Sequence, residues 1–218
     1  MTKEELKILI AKRAAAELHD GDIATLGIGI PTLIPAFLPE DVRLTLHIDN
    51  GIIDVGVVTE ENMQPRYIID AGGAPSAINV GGAFLDSAAI FSMIRGGHID
   101  AAVLGALEVD AHGNLSNWMI PGKFVPGMGG AMDLVAGAKR VIIAMEHTNK
   151  GRPKIMKDNT LPYTAKHCVN LIITEMGVME ITPDGIVLTE YNPAFTVEEI
   201  QAATDADLII SPNLKSML

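Results

Sequence analysis

The chain has 218 residues, 48% hydrophobic and 20% charged, which is enough apolar material for a large buried core and excludes an intrinsically disordered chain. A net charge of −11 argues against nucleic-acid binding, which needs a basic surface, but leaves room for a phosphorylated ligand held by a few local donors. The single cysteine, Cys168, permits no disulfide framework or zinc quartet within the chain and suits a reducing compartment.

Residues 3–18 place Leu6, Leu9, Ile10, Ala14 and Leu18 on one face at helical spacing. This amphipathic pattern lacks the apolar core of a signal peptide, and no run approaches the roughly 18 apolar residues of a membrane span. The cytoplasm is therefore the expected location. A helix stop, His19-Asp20-Gly21-Asp22, leads to a predicted strand over 23–28 and then to Gly27-Ile28-Gly29-Ile30-Pro31-Thr32. A short helix is predicted over 33–37 and a second strand over 43–48, running into His47-Ile48-Asp49-Asn50-Gly51. Residues 67–70 and the run AGGAPSAINVGGAFLD read as a glycine-rich tract. A helix is predicted over 87–94, with apolar strands over 101–107, 141–145 and 169–174. Apolar runs separated by helices or long loops predict one α/β domain over 1–218: an open, largely parallel sheet flanked by helices. No internal repeat or linker interrupts it.

In such sheets ligands sit at the carboxyl ends of strands. Both GIGIPT and HIDNG follow predicted strands, so both are placed for a site. In the first, Gly27 and Gly29 would let a ligand approach the backbone, but Thr32 stands where a dinucleotide fingerprint needs its third glycine, and no Walker lysine follows. A tight strand-to-helix turn explains the same residues. The loop Gly127-Met128-Gly129-Gly130-Ala131-Met132-Asp133 enters an apolar helix, and its successive N–H groups can form an oxyanion hole or simply pack closely. The six histidines show no metal-ligand spacing, and Cys168 has no activating neighbour in sequence. Asp49 before Asn50-Gly51 can be an ordinary turn former or a carboxylate held at a strand end for chemistry.

Three blocks change the weighting: KRAAAELHDGDIATLGIGIPTLIPAFLP, IRGGHIDAAVLGALEVDAHGNLSNWMIPGKFVPGMGGAMDLVAGAKRVIIAMEHTNKG and LPYTAKHCVNLIITEMGV. Together they resemble the B (beta) subunit of class I, two-subunit 3-oxoacid CoA-transferases over almost the whole chain. Ala71-Gly72-Gly73 resembles the acetate or butyrate:acetoacetate branch, since the succinyl-CoA:3-ketoacid branch often carries Lys at the position of Gly73. The resemblance implies a separate A (alpha) subunit, an α2β2 heterotetramer, acyl-CoA and carboxylic acid substrates, and no metal or redox cofactor, CoA being a substrate. It also implies ping-pong chemistry, in which a glutamate in a Ser-Glu-Asn-Gly motif forms an acyl anhydride and then a CoA thioester. Gly130 and Ala131 would supply the oxyanion N–H groups.

Aligned on Asn50-Gly51, the motif departs from the family. Ile48-Asp49 replaces Ser-Glu, His47 replaces Gln, and Asp54 replaces Gly. Aspartate holds its carboxylate roughly 1.5 Å further back, and a misplacement of about 1 Å can cost about 10²-fold in rate. An aspartyl thioester is also open to attack by the Asn50 nitrogen through a five-membered ring. Three readings follow. Asp49 can be the transferase nucleophile in a site shifted to meet it, with Gly130 and Ala131 as oxyanion donors and with Gly27, Gly29, His47, Asn50, Gly51 and Asp54 around the substrate. Asp49, His47 or Asp54 can instead act as general base in a hydrolase, lyase or decarboxylase. The subunit can also be non-catalytic. The added ionisable groups lead to the expectation of an acyl group with a polar or basic substituent.

Overall fold

The computed structural model describes residues 2–56 and 68–218; Tyr67, at the start of the glycine-rich tract, lies outside the described residues. In chain order the strands are β1 (Ile23–Leu26), β2 (Thr45–Ile48), β3 (Ile52–Gly56), β4 (Ala77–Phe84), β5 (Ala101–Leu104), β6 (Glu108–Asp110), β7 (Leu115–Ser116), β8 (Arg140–Ala144), β9 (Thr148–Asn149), β10 (Arg152–Pro153), β11 (Ile155–Met156), β12 (Leu171–Ile173), β13 (Gly177–Thr182), β14 (Gly185–Tyr191) and β15 (Leu208–Ser216). The α-helices are α1 (Lys3–Ala15), α2 (Ser87–Arg95), α3 (Ala131–Gly137) and α4 (Val197–Ala202), and a 3-10 helix spans Ile30–Phe37.

A 10-stranded sheet runs β15-β14-β13-β12-β8-β5-β1-β2-β3-β4. Its centre, β12-β8-β5-β1-β2, is parallel. Antiparallel β3 and β4 extend one end, and antiparallel β13 and β14 the other, with β15 parallel to β14. The sheet is thus the open α/β sheet the apolar runs predict, with antiparallel pairs added at both flanks. The central strands β5, β8 and β12 are apolar apart from Arg140 at the start of β8, because both faces are covered. Ala102, Leu104, Val141, Ile143 and Ile172 enter one core with residues of α2, α3 and α4. Ala101, Val103, Ile142, Ala144, Leu171 and Ile173 enter a second core with α1 and the 3-10 helix.

Several boundaries differ from the sequence expectation for local reasons. Strand β1 stops at Leu26 and β5 at Leu104, each followed by a glycine, Gly27 and Gly105, where the chain leaves the sheet. Residues 30–37 form a 3-10 helix because Pro31 and Pro35 cannot donate to an α-helical ladder. Within the glycine-rich tract, residues 77–84 are a full edge strand, β4, whose inner edge pairs with β3. Helix α1 starts in a capping box from Thr2 and Glu5 and packs largely through Ile10, Ala11, Ala14 and Ala15.

The connections place the site. The crossover from β1 to β2 runs through the 3-10 helix on the α1 face, whereas the return from β4 to β5 runs through α2 on the opposite face. The two connections diverge between β1 and β5, which opens a crevice at the carboxyl ends of those strands.

Candidate active site

The crevice has a volume of about 690 Å³. Its floor is Thr25, Leu26 and Gly27 from β1 and its exit, and Leu104 to Leu107 from β5 and its exit. One wall is Ile48, Asp49 and Asn50 at the end of β2, and the other is Met128 to Ala131 with Leu134 of α3. Gly27 must be small: its N–H donates to the Val103 carbonyl at 2.8 Å, and a Cβ there would stand 3.0 Å from Leu104 Cδ2.

Asp49 is both a turn residue and a cleft residue. Ile48 pairs with Ile52 across β2 and β3, so Asp49, Asn50 and Gly51 form a three-residue hairpin loop, closed by the Gly51 N–H donating to the Ile48 carbonyl at 3.0 Å. Gly51 is buried at φ 117°, and a Cβ there would fall 2.6 Å from the Leu85 carbonyl oxygen, so its role is to shape the turn. The Asn50 side chain donates to the Ile69 carbonyl at 2.8 Å and pins residues 69–75 beside the cleft. Asp70 organises that loop, accepting from the Gly72 and Ala74 N–H groups at 2.8 Å each.

The half-buried Asp49 side chain points at Gly130. A Cβ built on Gly130 would overlap the Asp49 Oδ2 and lie 3.1 Å from its Cγ, so glycine here makes room for the carboxylate. Gly130 is the N-cap of α3, at φ −81° and ψ −1°. Among the described residues nothing accepts from its N–H. The Ala131 N–H donates to the Met128 carbonyl at 3.2 Å, a long bond that leaves Gly130 the freer of the two oxyanion donors.

The other sequence-predicted residues are not gathered here. His47 is 1% exposed and lies beneath the cleft wall. Its Nε2 is 3.4 Å from the Ile90 carbonyl and its Nδ1 3.0 Å from the Thr25 hydroxyl. A carbonyl only accepts, so Nε2 carries the proton and Nδ1 accepts from Thr25. Burial lowers the His47 pKa, against the Ile90 carbonyl and the nearby Asp49 charge. Asp54 sits at a bulge of β3 at φ 59°, accepts from the Asn79 amide at 2.9 Å and faces Arg43 at 3.6 Å. A left-handed backbone explains why the resembled family carries glycine there, and aspartate tolerates it better than most residues. Gly29, at φ 97°, caps the 3-10 helix and does not line the crevice. Neither added ionisable group faces the cleft, so the expectation of a polar acyl substituent has no side chain to carry it.

Sequence reasoning missed Phe91 of α2 and Asn117 as cleft residues. Asn117 is fixed by Thr164, whose hydroxyl donates to its Oδ1 at 2.7 Å. No motif marks either residue; only the fold brings them in. Cys168 is inert, its thiol pushed by burial up to about 11. Among the described residues no cluster of side chains suits a metal ion, and no helix is long and apolar enough to cross a membrane.

A carboxylate at a strand end thus lies against the glycine N-cap of α3, in a crevice at the point where the crossovers diverge. The chain belongs to the coenzyme A transferase family, whose model matches residues 8–203. The acetate CoA-transferase subunit beta of Haemophilus influenzae is 51% identical over 212 residues, 97% of this chain and 95% of that protein. The solved apoenzyme of the acyl-CoA transferase YdiF from Escherichia coli O157:H7 superposes with a TM-score of 0.78 at 25% identity, over 98% of this chain but 43% of the longer YdiF chain. The decarboxylase AibA/AibB shares the fold, with a TM-score of 0.74 at 19% identity over 97% of this chain and 88% of that one.

Proposed function

We propose that this chain is the Asp49-bearing catalytic subunit of a two-subunit enzyme that moves CoA between an acyl-CoA and a short-chain carboxylic acid. The observation that carries this reading is the Asp49 carboxylate seated against the glycine N-cap of α3. An Asp49 oxygen attacks the thioester carbonyl of the acyl-CoA, and the Gly130 N–H, with Ala131 beside it, stabilises the oxyanion. CoA leaves as thiolate and an acyl-aspartyl anhydride forms. The thiolate then attacks the aspartyl carbonyl, the first acid departs, and CoA is held as an aspartyl thioester. A second carboxylate reverses these steps and leaves as the new acyl-CoA. The carboxylate shortened by one methylene is offset by a loop that brings it into contact distance of Gly130.

Geometry narrows the general-base alternative to Asp49 itself. His47 has both ring nitrogens engaged beneath the wall, and Asp54 is bonded at a bulge outside the cleft. Of the three, Asp49 is the one that lines the crevice, and acceptor dependence separates its two possible roles. The beta-subunit name of the Haemophilus relative supports an alpha-type partner, and α2β2 is the assembly proposed. Acceptor dependence tests the reaction class: with acetoacetyl-CoA and the assembled enzyme, turnover is expected only when a carboxylic acid such as acetate is added. CoA release at the same rate without acid would identify a hydrolase instead.

A further inference from the structure

His47 is a buried titratable group beside the Asp49 crevice that the proposed chemistry does not use. Strand alternation places it. Ala24 of β1 and Leu46 of β2 are register partners and pack into the core on the α1 face, so Thr25 and His47, one residue on, face α2. There the Thr25 hydroxyl meets Nδ1 at 3.0 Å, and Nε2 meets the Ile90 carbonyl of α2 at 3.4 Å. One neutral ring thus offers an acceptor to β1 and a donor to α2. Both partners lead to the crevice. Thr25 is part of its floor, and Phe91, next to Ile90, lines it.

Helix α2 in turn holds α3. The Arg95 Nε donates to the Asp133 carboxylate at 2.7 Å. Gly137 of α3 lies so close to Ile94 of α2 that a Cβ there would overlap the Ile94 carbonyl oxygen. Helix α3 carries Gly130 as its N-cap, and Gly130 is what the Asp49 carboxylate touches. The contacts therefore close a ring. It runs from Asp49 along β2 to His47, across to α2, on to α3, and back through Gly130 to Asp49. We propose that His47 is a positioning residue for the transferase reaction: its neutral ring ties β2 to the crevice floor and to α2, and so fixes the Asp49 carboxylate against Gly130. This rests on the reading of Asp49 as nucleophile given above.

The tie holds only while the ring is neutral. A proton on Nδ1 removes the acceptor that Thr25 uses, and among the described residues that buried hydroxyl has no other partner. It also sets a positive charge near Asp49 and makes the carboxylate a weaker nucleophile. Among the described residues Asp49 is the charged group this ring senses. The packed elements β1, α2 and β3 present Thr25, the Ile90 carbonyl and Ile53, the register partner of His47. Burial favours the neutral ring and outweighs the Ile90 carbonyl and the Asp49 charge, so protonation falls below the ordinary histidine value of about 6.5. Acylation of Asp49 removes its charge, which favours the neutral ring further through the covalent intermediates.

The test compares the assembled wild-type enzyme with His47→Gln and His47→Leu variants, using acetoacetyl-CoA and acetate between about pH 5 and pH 8. Turnover is read together with the CoA adduct on Asp49 in rapidly quenched samples without acetate. Glutamine keeps one donor and one acceptor but does not titrate, whereas leucine has neither. The wild type is expected to lose kcat as pH falls below about 6.5, in a limb that His47→Gln lacks. Near neutral pH, His47→Leu is expected to lose about 10- to 100-fold in kcat with KM for the acyl-CoA within about twofold, and His47→Gln to recover most of that loss. If the leucine variant folds poorly, the limb of the wild type against that of the glutamine variant still decides. Identical pH profiles for wild type and His47→Gln, or full activity of His47→Leu, would overturn the positioning role and, with the Asp49 adduct present, leave the transferase reading standing. Wild-type turnover without that adduct would overturn the transferase reading itself and the positioning role with it.

Discussion

At position 49 a single methylene separates the backbone from the carboxylate, so the backbone itself sets how far into the crevice the group reaches. The hairpin loop 49–51 does this. It is turned by a buried glycine at φ 117°, and its aspartate reaches the α-carbon of Gly130. Gly130 itself has φ −81°, which any residue adopts, so its lack of a side chain answers a steric need and not a backbone one. A Gly130→Ala substitution is expected to displace the Asp49 carboxylate and lower turnover by about 10²-fold, with an unchanged thermal midpoint. Loss of folding in that variant, or full activity, would count against the contact. Asp54 provides the opposite control. It occupies a left-handed bulge outside the crevice, so Asp54→Gly is expected to leave kcat/KM within about twofold in a steady-state assay. Asp49 was legible in sequence as a turn former and, through the resembled motif, as a residue of the crevice. What the sequence did not carry was that His47 and Asp54, changed in the same short stretch, lie outside the cleft. A β-strand alternates its faces, and a bulge then shifts that alternation, so nearness in sequence gives no common direction.

Among the elements, the central parallel strands were the most legible, because burial on both faces leaves a continuous apolar run such as Ala101 to Leu104 or Val141 to Ala144. Among the outer strands β14 alternates buried and half-buried positions, β4 and β15 are largely exposed, and β4 carries two glycines, so a continuous apolar run does not mark them. The turn signal Pro183-Asp184-Gly185 between β13 and β14 does lie in the sequence and can be read as a hairpin. A second feature belongs to this scale. His147, just past β8, is fully buried and joins Thr174 beyond β12 at 2.9 Å to Thr204 beyond α4 at 2.8 Å. The Thr204 hydroxyl donates to the Ile200 carbonyl at 2.8 Å and therefore accepts from Nε2–H. Burial, with the Lys154 charge nearby, lowers its pKa to about 4. The unfolded chain, with a histidine near its ordinary value of about 6.5, then binds the extra proton first, so this group's stabilisation is complete above that value and is lost as pH falls toward 4. Urea unfolding at pH 5 is expected to give about 2 kcal/mol less stability than at pH 7 from this residue, and a His147→Gln variant should lose that slope. Equal pH slopes in the two proteins would contradict the assignment.

For the whole molecule, the sheet topology does the positioning. Crossovers on opposite faces open the crevice between β1 and β5, β2 brings Asp49 to its rim, and the glycine N-cap of α3 lines the other wall against it. The α/β class and the location of the site at strand ends followed from the order of apolar runs. Phe91 and Asn117 did not, since each reaches the crevice only through tertiary packing that no local pattern encodes. The same fold is shared by CoA-transferases and by the decarboxylase AibA/AibB, so the fold does not fix the reaction, and the covalent state of Asp49 decides it. The most direct measurement is intact-mass spectrometry of the assembled enzyme, mixed with acetoacetyl-CoA in the absence of an acceptor acid and quenched rapidly, with peptide mapping of any adduct. A CoA-sized adduct on Asp49, absent from an Asp49→Asn variant, is the expected result. Continued turnover of acyl-CoA with no adduct on Asp49 would contradict the covalent mechanism.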